Sequence, residues 1–188
     1  MTLETGNSQN TVQEALKDQE YGLLFDIRRS VRYHMRRCRF FDLVHSMASA
    51  TGVIAGSAAV FTVLSGLGTV WTATSAALVA MISAIDLVVG ASPMARLHND
   101  LAKKLIQLER EIVLSDDLTE KSLKQFTSRR LDIEMEEPPI LRSLDCLVRN
   151  EQLRAEGHPE SETVRVPWYQ RRLAHIFSFE PKHRSLPQ

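Results

Sequence analysis

The sequence predicts an all-α protein: a two-helix transmembrane hairpin with a long amphipathic N-terminal helix and a cytoplasmic C-terminal helical bundle. Three observations carry this. No Lys or Arg stands between Arg39 and Arg96. Residues 43–92 are apolar or small almost throughout. The polar portions on either side repeat their apolar residues at three- and four-residue steps, with no strand-like alternation of useful length.

A helix rises about 1.5 Å per residue, so a hydrocarbon core about 30 Å thick takes about 20 residues to cross. The apolar block is long enough for two crossings, one over 43–64 and one over 70–91. Ser65-Gly66-Leu67-Gly68-Thr69 supplies the reversal between them, because its glycines give the backbone freedom for a tight turn. Both flanks are basic, with Arg28, Arg29, Arg32, Arg36, Arg37 and Arg39 before the first span and Arg96, Lys103 and Lys104 after the second. Arginines close to a span stay on the cytoplasmic side. The expected location is therefore the inner membrane, multi-pass, with both termini cytoplasmic, the arginines setting topology and touching lipid headgroups. The far-side loop is too short for a receptor or catalytic site. The first forty residues are polar, which argues against a secretory signal peptide.

The zero formal net charge and the mean hydropathy of −0.16 average two polar portions with one apolar block. The competing arrangement is a buried helical pair in a soluble bundle. A domain of under 200 residues has too little chain to surround two all-apolar helices. The abundance of Ala, Ser, Thr and Gly gives that alternative some weight, since these residues drive insertion less than Leu or Ile.

Small residues recur every fourth position, as Ala48, Gly52 and Gly56 in the first span and Ala76, Ala80 and Ala84 in the second. In lipid, close backbone approach supplies helix association. The stripes serve either packing of the two spans within one chain or assembly into a homo-oligomer, and the residues leave both open. His45 and Asp86 interrupt the apolar block at similar depths of an antiparallel pair. They can pair, or each can reach interfacial water. An intramembrane carboxylate costs about 2.5–3.5 kcal/mol at mid-bilayer, and a pore-lining role for Asp86 is a further alternative.

Upstream, 13–42 reads as one amphipathic helix with Leu16, Leu23, Leu24, Ile27, Val31 and Met35 on one face, and Phe40 and Phe41 at the membrane interface. Residues 1–12 and 181–188 are expected to be disordered tails. Past the membrane, 93–180 forms the cytoplasmic helical region. Ser92 is the expected N-cap and Pro93 the first helical residue of a helix to about Leu114, with Met94, Leu97, Leu101, Leu105, Leu108 and Ile112 in step. Asp117 with Glu120 resembles a capping box for a helix through about Met135, with Leu123, Phe126, Arg130 and Ile133 on one side. Pro138-Pro139 ends it. A further helix fits 140–156, stopped by Gly157-His158-Pro159. The segment 164–179, with Trp168, Tyr169, Arg171 and Arg172, suits either a lid on the bundle or a membrane surface, the lid being preferred.

Little chemistry is visible. Cys38 and Cys146 are expected reduced on the cytoplasmic side. His34 and Cys38 share a helix face, but two ligands do not make a metal site. Glu134, Glu136 and Glu137 form the densest acidic cluster, either a solvated helix end or a partner for the arginines around Arg36. No phosphate-loop, nucleophile-elbow or zinc-protease string is present. The expectation is no enzyme, no cofactor, no metal and no nucleic acid partner.

The string Tyr33-His34-Met35-Arg36-Arg37-Cys38-Arg39-Phe40-Phe41-Asp42, with its Arg-x-Phe-Phe-Asp entry into an apolar hairpin, resembles the SLATT family over about residues 15 to 155. These are bacterial two-transmembrane proteins associated with SMODS and SLOG domains in conflict systems. The resemblance implies a pore-forming effector that arrests or kills the cell when a sensor protein or nucleotide signal acts on the cytoplasmic helices. It brings no catalytic residues. The expected function is an oligomeric pore-forming or membrane-perturbing effector gated by its cytoplasmic helices. The alternative is a non-conducting anchor or scaffold, or a phage-encoded holin-like or exclusion protein.

Overall fold

A computed structural model describes residues 3–65, 69–115 and 119–180. The described residues are all helical or irregular, with no strand among them. The helices are α1 (Leu3–Leu64), α2 (Thr69–Val89), α3 (Ala91–Val113), α4 (Glu120–Glu134), α5 (Arg142–Ala155) and α6 (Trp168–Leu173), with a short 3-10 turn at Glu160–Glu162 before the last. The amphipathic and apolar stretches expected as separate elements are one helix, α1, because no proline or left-handed residue interrupts it. Gly66, Leu67 and Gly68 of the expected reversal lie outside the described residues, as do Asp117, residues 1–2 and the 181–188 tail.

The chain divides into two compact units, Met1–Met35 with Asp100–Gln188, and Arg36–Asn99. In the first, Leu23 and Ile27 of α1, Leu105, Leu108 and Ile112 of α3, and Leu123 of α4 form a buried cluster. Leu16, Leu24, Val31, Phe126 and Ile133 pack against it. Met35 is exposed instead, at 38 %. A second cluster gathers Tyr33, Leu144, Val148 and Ala174.

Several helix boundaries have an identifiable cause. Gly90 adopts φ 59°, a left-handed conformation in which a side chain is strained. Its N–H donates to Asp86 O and its carbonyl accepts from Met94 N–H, so this one residue closes α2 and opens α3. The expected start at Ser92-Pro93 is therefore corrected: both lie inside the first turn, where the missing proline N–H costs nothing. The capping box of α4 is built by Thr119 and Ser122. The start of α5 has no side-chain cap of its own, and Leu141 N–H donates to Tyr33 Oη at 3.0 Å.

The 164–179 segment lies on α5, but only Trp168–Leu173 is helical. Asn150 holds Val164 by two bonds, donating to its carbonyl at 2.6 Å and accepting its N–H at 2.9 Å. Buried Ser143 likewise donates to Phe179 O at 2.9 Å and accepts Phe179 N–H at 3.2 Å. Extended backbone is captured at both ends, so the helix stays short.

Polar partners refine the acidic cluster. Glu134 pairs with Arg130 at 3.0 Å, Glu136 with Lys104 at 2.6 Å, and Glu137 with the buried His34 at 2.9 Å. Cys38 and Cys146 are free thiols. Burial pushes the Cys146 thiol above its ordinary value, and Asp145 adds to the effect. Maleimide at neutral pH should modify Cys38 well before Cys146, and denaturant should abolish the difference; equal native rates would contradict this placement. Leu105→Ala, at a site with no exposure, should lower stability by about 2–5 kcal/mol. Leu131→Ala, on the exposed face, should stay within about 0.5 kcal/mol in the same melting experiment.

Candidate functional site

The chemistry of interest sits in the Arg36–Asn99 unit, and its main property is an uncovered apolar surface. The stretch Thr69–Val113, which is α2 followed by α3, is the one among the described residues long and apolar enough to cross a membrane, and none of its most apolar window is buried. On α2, Val70, Trp71, Leu78, Met81, Ile85, Leu87 and Val88 are all exposed, Val88 at 86 %. On α1, Val53, Ile54, Val60, Phe61 and Val63 are exposed as well. Covering one such side chain is worth about 1.5–3 kcal/mol. The set together exceeds the net stability of about 5–15 kcal/mol of an ordinary domain. Water is a poor solvent for this unit.

Four hydroxyls within the apolar block are satisfied locally. Thr51 Oγ1 donates to Met47 O at 2.8 Å, Ser57 Oγ to Val53 O at 2.8 Å, Ser65 Oγ to Phe61 O at 2.6 Å and Thr74 Oγ1 to Val70 O at 2.7 Å. Each hydroxyl bonds the carbonyl four residues back, so it needs neither water nor a partner helix. His45 Nδ1 lies 3.3 Å from Asp86 Oδ2, with both side chains partly exposed. The other carboxylate oxygen of Asp86 is buried and has no hydrogen-bond partner among the described residues.

The two small-residue stripes fall differently. Ala48, Gly52 and Gly56 are half-buried, yet a Cβ on either glycine would meet nothing within 4 Å. Ala76, Ala80 and Ala84 are exposed, and the half-buried residues of α2 are Thr72, Val79, Ile82 and Asp86. The first stripe is half-buried with open space at its glycines, and the second is exposed.

The basic entry is divided between the two units. Arg28 bonds Glu109 at 2.6 Å, Arg29 lies 3.7 Å from both Asp145 and Asp26, and Arg32 donates to Gln152 Oε1 at 2.6 Å. These three serve the helical unit, an outcome that periodicity gave no sign of. Arg37 stands over the Phe41 ring at 4.5 Å and the Phe40 ring at 5.6 Å, while Arg39 is exposed. Phe41 is buried with Ala91 and Ala95, whose small side chains admit the ring, and stacks on His98 at 5.8 Å. His34 and Cys38 are not brought together as ligands, since Cys38 Sγ donates to Asp42 Oδ2 at 3.5 Å and His34 bonds Glu137. No group of three or more metal-ligating side chains occurs among the described residues.

The exposed stripe gives a prediction. Replacing Ala80 and Ala84 together by Ile should leave membrane insertion intact and reduce cross-linked oligomers, whereas Gly52→Ala, made where space is open, should change neither. Unchanged cross-linking in the double variant would remove the stripe from any assembly.

Comparison with known proteins finds no family model, no curated protein and no solved structure that matches this chain.

Proposed function

We propose that this chain is an integral membrane protein whose 43–92 block crosses the bilayer twice, with both tails in the cytoplasm. It assembles into a homo-oligomer that perturbs or perforates the membrane. The observation that carries the reading is the exposed apolar surface of α2, uncovered by the rest of the chain. A bilayer supplies the missing cover, and the back-bonded hydroxyls remove the penalty that Ser and Thr would otherwise bring into it. The exposed Ala76, Ala80 and Ala84 stripe suits a neighbouring copy. Asp86 is the candidate for a polar lining, because its second oxygen has no bond partner among the described residues. The resemblance to the SLATT family agrees with this reading and adds a trigger acting on the helical unit through a sensor protein or nucleotide signal.

The second reading is a non-conducting anchor, scaffold or phage-encoded exclusion or holin-like protein. It is favoured by the same local satisfaction of hydroxyls, which leaves few polar groups to line a conduit.

An alkaline carbonate wash should leave the chain in the membrane fraction, and external protease should spare both tails; release of intact protein would overturn the spanning arrangement. In liposomes loaded with a small dye, the purified chain should cause leakage that Asp86→Ala changes. Absence of leakage at every protein density would favour the anchor.

A further inference from the structure

Residues 163–179 contain three arginines, Arg165, Arg171 and Arg172, and no Asp or Glu. All three are exposed, and none forms an ion pair among the described residues. Their neighbours differ: Arg142 pairs with Glu180 and Arg154 with Glu160. The same segment exposes a run of large apolar side chains, Trp168, Tyr169, Leu173, Ile176 and Phe177. Trp168 is exposed at 77 % although it opens a helix that is otherwise anchored.

The anchoring makes this display fixed. Gln170 and Ala174 are buried and turn one side of α6 toward α5. Asn150 and Ser143 pin the chain at Val164 and Phe179 on either side. A segment used only as a lid would bury its large side chains and leave its small ones out. Here the small Ala174 goes in, and the tryptophan and both aliphatic residues stay out.

We propose that α6 and the turn after it form an interfacial membrane-contact surface for a bilayer bearing anionic headgroups. Aromatic rings and aliphatic tips enter the headgroup boundary while the guanidinium groups stay among the phosphates. Charge complementarity selects this occupant. Unpaired arginines attract an anionic leaflet, and the sequence beyond adds Lys182 and Arg184 against the single Glu180. A second copy docking by two-fold symmetry would bring two patches of the same positive sign into one interface. The surface belongs to the helical unit and owes nothing to the 43–92 block, so it stands apart from the proposed spans.

The chain has Trp71 and Trp168 as its only tryptophans, which gives each membrane contact its own reporter. The full chain carrying Trp71→Phe is reconstituted in vesicles with brominated phosphatidylcholine, with and without phosphatidylglycerol. Trp168 emission should shift to the blue and be quenched severalfold more when phosphatidylglycerol is present, and salt or Arg171→Glu with Arg172→Glu should reverse this. Lack of quenching in anionic vesicles overturns the proposal, whatever Trp71 reports. Quenching of equal size in both lipids also overturns it, because the arginines would then play no part. A blue shift in detergent that follows protein concentration would assign the face to a second copy and overturn it too. The Trp168→Phe chain reports Trp71 separately: failure of Trp71 to be quenched sinks the spanning arrangement and leaves the Trp168 result standing.

Discussion

The governing constraint is the mismatch between residues 43–92 and water. Between Asp42 and Arg96 the only side chains that ionise near neutral pH are His45 and Asp86, which lie 3.3 Å apart. The α2 surface is left open by the rest of the chain. A soluble fold solves this by wrapping such helices in others. Here α3, α4 and α5 spend their apolar faces on Leu23, Ile27 and Tyr33 of α1, which lie outside that stretch. A bilayer is the cover proposed for the uncovered part.

The details of the unit fit that demand. Ser and Thr weaken the insertion drive when counted by hydropathy, yet the hydroxyls of Thr51, Ser57, Ser65 and Thr74 close onto their own helix at 2.6–2.8 Å. Where the polar entry begins, packing changes character. Phe41 is enclosed by Ala91 and Ala95, with Arg37 on its ring and His98 stacked against it. A cation over a ring gains more as water is excluded, so this cluster is a firm footing for the apolar stretch that follows.

Periodicity and punctuation made much of the helical pattern legible. The stripe from Leu101 to Ile112 and the breaks at Pro138-Pro139 and Gly157 are local signals, and the described helices follow them closely. What escaped was whatever depends on a distant partner. Gly90 displaced Ser92 as the start of α3 because its left-handed φ serves two helices at once, and a Ser-Pro pair reads the same with or without that. Glu137 reads in sequence as part of a solvated helix end or as a partner for the arginines around Arg36, and it meets His34 instead, across 103 positions of sequence. Arg28, Arg29 and Arg32 looked like topology residues, and their guanidinium groups are engaged by Glu109, Asp145 and Gln152. The brevity of α6 depends on Ser143 and Asn150, which no window centred on Trp168 includes. Within the candidate site, the identity of the polar pair was legible, and the direction of each small-residue stripe was not, because it depends on which helix faces are covered.

The helical unit is assembled from the two ends of the chain, Met1–Met35 and Asp100–Gln188, with all of Arg36–Asn99 between them. A ribosome therefore delivers Leu23, Ile27 and Tyr33 long before Leu105, Leu108, Leu144 and Val148 exist to cover them. Until then the first amphipathic stretch lacks the cover that α3, α4 and α5 give it in the folded unit. The start of α5 waits as well, since the phenol that receives its Leu141 N–H was made first and must be found again across the whole apolar block. Completion of this unit thus waits for the chain beyond Asp100, so a nascent chain that stalls before that point would leave its earliest hydrophobic side chains still bare.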